Sequence, residues 1–228
     1  MRDIHCHILP GVDDGARDLD ESLRMLEVAK DAGVTSIVCT PHCREPYFDY
    51  ERMWQAFREF RAAATGFPVS MGFEVNVAKL HELGMGWAPL LGCGMQEPAQ
   101  PDEPCAGRIF LLELQVDASP RDFEEDYERV IFELQGLGYT VVVAHPERYR
   151  AIQRDTGIAE RLVSLGCKLQ ASADFVRGGR LGRERKPAQR MFEDRLYTYI
   201  ASDAHRPEHY RYLAEARERY RTRGAHMR

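Results

Sequence analysis

Short apolar, β-branched runs alternate along this chain with longer stretches whose apolar residues recur every three or four positions, so strands and helices are expected in turn. Asp3 and Ile4 open a first short strand. Residues 19–32 hold Leu23, Leu26 and Ala29 at helical spacing, with acids early in the segment and Gly33 at its end, as helix start and stop signals require. Residues 35–40 (TSIVCT) read as a buried strand stopped by Pro41, and residues 49–64 place Met53, Phe57 and Phe60 on one helical face. The alternation continues through strands at 68–75, 108–116, 140–144, 167–171 and 196–201, and helices at 122–137, 158–165, 187–194 and 207–221. Strands that alternate with helices pair in parallel and keep the helices outside the sheet. About seven such units in one chain predict an α/β barrel, an irregular one, rather than an open sheet. Residues 92–107 (GCGMQEPAQPDEPCAG) break the pattern with Pro and Gly and are expected to form a long surface loop. A single domain over residues 1–222, with that loop as an insertion and 223–228 as a tail, is the expected organisation.

Composition narrows the partners. The 228 residues suffice for one sizeable core. A formal net charge of −5 argues against a nucleic-acid partner, which would call for a basic excess. The N-terminal MRDIHCHILPG puts charges and histidines where a signal peptide needs an apolar centre. No apolar run approaches the ~20 residues that span a bilayer. The six cysteines are scattered without a disulfide spacing, so a cytoplasmic location with free thiols is expected. The sequence says nothing of oligomeric state.

The chemistry is positional. His5 and His7 follow the first strand, His42 the second; Glu74 ends the third; Glu113 lies late in the fourth; His145 ends the fifth; Asp203 and His205 follow the last. In a βα barrel the carboxyl ends of the strands converge on one face, where active sites form. His-x-His suits a strand end because residues i and i+2 point the same way and both imidazoles reach one cation. With Asp14 these make nine candidate metal ligands, more than one or two open-coordination ions need, so three ions are expected. Imidazole and carboxylate without clustered thiolate suit Mn, Fe, Zn or Co in a catalytic site. Three dications would bring about +6 against about −4 from Asp14, Glu74, Glu113 and Asp203, leaving positive charge for a phosphate anion. Arg148, which follows His145-Pro146-Glu147, and Arg206, next to His205, are candidate catalytic residues because guanidinium grips phosphate oxygens bidentately. Arg211 is a fallback for that role.

Each residue also has an ordinary reading. Asp13 or Asp14 could only shape the Gly11-to-Gly15 turn, and Asp18 or Asp20 caps the next helix. His81, His209 and His226 lie off the pattern and are expected on the surface. Cys39 and Cys43 flank His42 but have no partner pair for a zinc site, and Cys43-Arg44 lacks the loop of a cysteine phosphatase. An amidohydrolase also begins with H-x-H, and a catalytically silent metal-binding regulator is a further alternative. Glu74 and Glu113 resist the ordinary reading, since an unpartnered carboxylate inside an apolar strand is costly.

The motifs D-I-H-C-H-I-L-P-G-V-D-D-G-A at the start, T-P-H at 40–42, H-P-E-R at 145–148 and S-D-A-H at 202–205 resemble the polymerase and histidinol phosphatase (PHP) family. They are most similar to its branch of bacterial manganese-dependent protein-tyrosine phosphatases of capsule and exopolysaccharide synthesis. The resemblance runs from Asp3 to about Tyr212. It implies a distorted (β/α)7 TIM-like barrel with three divalent ions, Mn foremost. By that resemblance His5, His7, Glu74 and Asp203 hold one ion; Glu74, Glu113 and His145 a second; Asp14, His42 and His205 the third. Arg148 and Arg206 would meet phosphate, and the substrate would be phosphotyrosine on a bacterial tyrosine kinase. A small-molecule phosphoesterase acting on histidinol phosphate or a nucleotide is the alternative within the same fold. Residues 92–107 and 172–185 depart from the family pattern.

Overall fold

The computed structural model describes residues 1–99 and 108–221. Its strands are β1 (Arg2–Cys6), β2 (Ser36–Cys39), β3 (His42–Cys43), β4 (Val69–Met71), β5 (Glu74–Asn76), β6 (Ile109–Glu113), β7 (Thr140–Ala144), β8 (Lys168–Ser172) and β9 (Tyr197–Ala201). The α-helices are α1 (Leu19–Asp31), α2 (Tyr50–Ala63), α3 (Val77–Leu83), α4 (Ala88–Leu91), α5 (Pro120–Asp122), α6 (Glu128–Gly136), α7 (Arg150–Arg154), α8 (Gly157–Ser164), α9 (Arg185–Glu193) and α10 (His209–Arg221). This is a mixed α/β fold with parallel pairing throughout both sheets, one ordered β1-β2-β4 and the other β3-β5-β6-β7-β8-β9.

Two strands expected to be continuous are broken, and the breaks matter. The run 35–40 ends before Pro41, which has no N–H for the ladder, and resumes as β3. The run 68–75 divides at Gly72, where a Cβ would lie 2.7 Å from Cys93 Sγ. Hydrogen bonds from Gly72 N to Cys39 O (2.9 Å) and Glu74 N to Pro41 O (3.1 Å) carry the pairing across both gaps. The resumed strands are in register at His42 and Glu74, which therefore sit side by side.

The first and last strands meet beyond their ends. Cys6 and Ala204 form a parallel bridge, Asp203 N donates to His5 O (2.8 Å), and His7 N donates to Ala204 O (2.9 Å). Buried Asp3 braces this seam, accepting from Ser202 N at 2.9 Å and Ser202 Oγ at 2.6 Å.

The helices bury the faces that their spacing announced. Asp18 caps α1 by accepting from Glu21 N at 2.8 Å, and Met25, Leu26 and Ala29 pack inward. In α2, Met53, Trp54, Phe57 and Phe60 are buried in the large cluster between helices and sheet. A second, smaller cluster joins Ile4, Val38, Leu111, Val142, Ala144 and Ala201 from β1, β2, β6, β7 and β9.

Some expectations need correction. The helix expected over 122–137 is present as an unbroken helical run from Pro120 to Gly136, but it carries a π-helical turn at Phe123–Tyr127 between α5 and α6. Helices α3, α4 and α7 span seven residues or fewer, too short for periodicity to reveal. Residues 92–99 are not a free surface loop: Cys93 and Met95 are buried, Cys93 N donates to Ile109 O (2.8 Å), and Met95 bridges to Met71. The rest of that loop (100–107, with Cys105), the 223–228 tail and His226 lie outside the described residues. The other five cysteines are buried and free. Among the described residues no helix is long and apolar enough to cross a membrane.

Candidate metal centre

β1 aims two imidazoles at one point. His5 Nε2 and His7 Nε2 stand 3.2 Å apart. Each lies 3.3 to 3.4 Å from Glu74 Oε2 and from Asp203 Oδ1. The far side of each ring is held. His5 Nδ1 is 2.8 Å from Gln170 Oε1, and His7 Nδ1 is 2.8 Å from Asp13 Oδ2. Both partner atoms accept, so each Nδ1 bears a proton, and in the neutral ring each Nε2 presents a lone pair toward the carboxylates.

The broken strands supply the next groups. His42 Nδ1 is 2.7 Å from Glu74 Oε2, and His42 Nε2 is 3.2 Å from Asp14 Oδ1, which His205 Nε2 approaches at 3.3 Å. From the end of β7, His145 Nε2 reaches Glu74 Oε1 at 2.6 Å. Glu113 closes the set from β6, with Oε2 accepting from Asn76 Nδ2 at 2.9 Å. All nine sequence-predicted ligands fall into overlapping groups whose donor atoms lie within 4.8 Å of one another: His7, Asp14, His42 and His205; His5, His7 and Glu74; His5, His145 and Asp203; His42, Glu74 and Glu113.

The carboxylates and imidazoles perturb one another strongly. Burial opposes charge on His5, yet Glu74 and Asp203 outweigh it and raise its pKa. Burial likewise opposes charge on His7, and Asp13 and its neighbours lift it well above the usual value. Burial would raise Asp203 and Glu74, but Arg148 and His5 hold the first, and His5 and His42 the second, well below the ordinary range. His205 goes the other way, pushed down to about 4 by burial and by His7. Such clustered perturbation marks functional sites. Backbone strain collects here too: His145 and Asp203 adopt φ of 31° and 48°, the left-handed region that non-glycine residues avoid.

The residues fit a cation better than they fit each other. Asp14 Oδ1, His42 Nδ1, Glu74 Oε2, His145 Nδ1 and Asp203 Oδ1 are buried without any hydrogen bond, including the 2.7 Å pair of His42 and Glu74, which is misaligned for one. Buried polar atoms are nearly always satisfied. A set of unsatisfied imidazole and carboxylate atoms facing one another is the donor set of a divalent metal.

The predicted arginines sit at the rim. Arg148 is buried, with Nη2 paired to Asp203 Oδ2 and also near Asp174 Oδ2 (3.3 Å) and Ser172 Oγ (3.2 Å). Arg206 Nη1 holds the carbonyls of Asp14 (3.1 Å), Gly15 and His205, stapling the Asp14 turn to the end of the last strand. That turn must be tight, since a Cβ on Gly15 would lie 2.0 Å from His7 O. Arg211 is exposed. Above the cluster opens a cleft of about 430 Å³ whose walls include Asp14, Arg148, Asp203, His205 and Arg206.

Other lining residues were not anticipated. Arg180 reaches Asp14 Oδ2 at 2.8 Å, and Asp174 and Arg177 line the same cleft. Their signal was the Gly- and Arg-rich stretch 172–185, which departs from the alternating pattern. His209, expected on the surface, is half-buried in the cleft wall, where its Nδ1 accepts from His205 N at 3.2 Å. His81 is exposed as expected. Asp13 and Gln170 had no signal in sequence, since nothing local couples them to His7 and His5.

Known proteins are similar to this chain in both sequence and architecture. A family described as capsular polysaccharide synthesis, CpsB/CapC, matches residues 1–78 and 108–222. The tyrosine-protein phosphatase YwqE of Bacillus subtilis is 31% identical over 212 residues, covering 90% of this chain and 77% of that one. The tyrosine-protein phosphatase CpsB of Streptococcus agalactiae is 28% identical over 233 residues, covering 95% and 88%. Solved structures of YwqE from Bacillus subtilis and CpsB from Streptococcus pneumoniae, described as unique metal-dependent tyrosine phosphatases, match at 26% identity with a TM-score of 0.77, over 98% of this chain and 87% of theirs.

Proposed function

Because the chain belongs to the CpsB/CapC family of capsular polysaccharide synthesis, we propose that it is a metal-dependent tyrosine-protein phosphatase whose substrate is a phosphotyrosine-bearing bacterial tyrosine kinase. The observation that supports it most is the convergence of nine imidazoles and carboxylates with unsatisfied buried atoms beneath an arginine-rimmed cleft.

His5, His7, Glu74 and Asp203 would hold one ion, Glu74, Glu113 and His145 a second, and Asp14, His42 and His205 a third, with Mn preferred over Fe, Zn or Co. Divalent cations there would supply positive charge for the phosphate and acidify water at neutral pH. The chain's own residues do the rest. Gln170 and Asp13 fix the proton on the outer nitrogens of His5 and His7, so no reorganisation of these rings is needed. Arg148, at the lip over Asp203, exchanges Asp174 and Ser172 for the equatorial phosphate oxygens and stabilises their charge in the transition state. Arg206 lines the same lip and holds the Asp14 turn in place. The leaving tyrosinate has a pKa of ~10 and needs little help from a general acid. No phosphoenzyme is required: Cys39 and Cys43 are buried, and burial raises both thiols far above the range of a nucleophile.

For the architecture, the same reading is a distorted (β/α)7 barrel spanning one domain over 1–222, with 92–107 as its insertion. The pairs β2/β3 and β4/β5 count as single kinked strands, and the Cys6–Ala204 bridge supports closure between first and last. The inward cluster of Ile4, Val38, Leu111, Val142, Ala144 and Ala201 would fill its centre.

Chelated protein should fail to hydrolyse a phosphotyrosine peptide and regain activity with added Mn, with histidinol phosphate turned over far more slowly. Turnover that survives complete chelation, or a preference for histidinol phosphate, would overturn this assignment.

A further inference from the structure

A second cleft lies beside the catalytic mouth and has a different composition. Its lining is Arg150, Gln153, Arg154, Arg183, Lys186 and Pro187, from α7, the start of α9 and the loop before it. The four cations are exposed, and among the described residues none has an ion-pair partner. Of the two acids adjacent to these cations in sequence, Glu184 is buried and spends its carboxylate on the backbone N–H groups of Leu181 (2.6 Å) and Arg183 (2.7 Å), and Asp155 Oδ1 accepts from Gly157 N (2.9 Å). Some exposed arginines elsewhere are neutralised, as in Arg161 with Glu128 and Arg177 with Glu215. In a chain of net charge −5, four uncompensated cations around one cleft repel one another and raise a local positive potential, which an anion relieves.

Two chain connections tie this cleft to the site. Arg148 lines the mouth and Arg150 the cleft; Arg180 lines the mouth and Arg183 the cleft. Two residues reach at most about 7 Å and three about 11 Å, so the two features adjoin. Helix α9 also packs against the Pro146–Arg148 and Ala173–Arg177 turns that bear the mouth. An extended peptide rises about 3.3 Å per residue. Side chains roughly two to four residues from a bound phosphotyrosine would therefore overlie the four cations.

Resting on the phosphatase reading above, we infer that this cleft is a docking subsite for acidic residues flanking the phosphotyrosine of the protein substrate. It selects among phosphotyrosine sites and takes no part in bond breaking. Its exposure and its mostly cationic lining fit carboxylate side chains of an extended chain.

The test uses two fluorescein-labelled phosphotyrosine peptides, one with glutamate at the second, third and fourth positions on both sides and one with glutamine there. It also uses p-nitrophenyl phosphate and the variant Arg154→Gln/Arg183→Gln/Lys186→Gln. The Mn-loaded wild type should prefer the glutamate peptide through KM, a preference that fades with added salt. The variant loses three exposed charge pairs together and should raise KM for that peptide about tenfold. Its kcat, and its activity on the glutamine peptide and p-nitrophenyl phosphate, should stay unchanged. Equal treatment of the two peptides by the wild type, or equal losses on both in the variant, overturns the subsite. Fluorescence anisotropy with the unphosphorylated glutamate peptide reads the cleft without turnover. Charge-dependent binding lost in the variant, with no hydrolysis of any phosphopeptide, would retain the cleft and reject the phosphatase; hydrolysis without such binding would do the reverse.

Discussion

Gln170 and Asp13 show how much of this site is decided one residue away from the ligands. Each holds the outer nitrogen of a histidine and so aims the inner one. Gln170→Leu should leave the fold intact and weaken metal binding by about 10- to 100-fold, read by competition with a metal-sensitive dye. Unchanged affinity would mean that His5 is oriented by packing alone. Glu147 acts in another way. Its carboxyl accepts from Ser172 N and Tyr197 Oη, both at 2.7 Å, bracing β7, β8 and β9, and burial lifts its pKa from 4.5 to about 8. A raised folded-state pKa stabilises the fold fully below the unfolded value and loses that contribution as pH climbs through the folded one. Stability should therefore fall between about pH 4.5 and pH 8, and Glu147→Gln should flatten the slope of Tm across that window. A variant with the wild-type slope would show that Glu147 ionises freely.

At the scale of elements, the helices were legible because their cause is local. Spacing of Met53, Phe57 and Phe60 and the Asp18 cap need only neighbours in sequence, and the structure places them as read. Their energies should separate by mechanism. Phe57→Ala leaves a cavity in a fully buried cluster and should cost about 3–5 kcal/mol, whereas Asp18→Ala removes one cap and should cost about 1 kcal/mol, both read by denaturant unfolding. Comparable costs would argue that α2 is not anchored in the core as described. The strand breaks were not legible. Pro41 announced a stop, but that pairing resumes beyond it and brings His42 opposite Glu74 depends on Gly72 yielding space to Cys93, a contact from a distant segment. The short helices α3, α4 and α7 escaped notice for lack of length.

For the whole molecule, the centre couples stability to metal. Its groups come from β1, the Asp14 turn, β3, β5, β6 and the ends of β7 and β9, so a bound ion ties most of the sheet together. Mn at about 100 times its dissociation constant should stabilise the fold by about 2.7 kcal/mol and raise Tm, an increase that chelator reverses and that His5→Ala diminishes. A Tm indifferent to metal would place the cation outside the folded core. By itself the sequence determined the alternation of strands and helices, the helix faces and the identity of nine candidate ligands, because hydrophobic period, capping and donor chemistry are properties of residues and their near neighbours. Only the tertiary structure decided which nitrogen each histidine presents, that Arg206 staples the Asp14 turn and Arg180 meets Asp14, and that four unpaired cations gather beside the mouth. Those depend on through-space contacts between segments up to 192 residues apart, such as Arg206 with Asp14, and no local pattern records them.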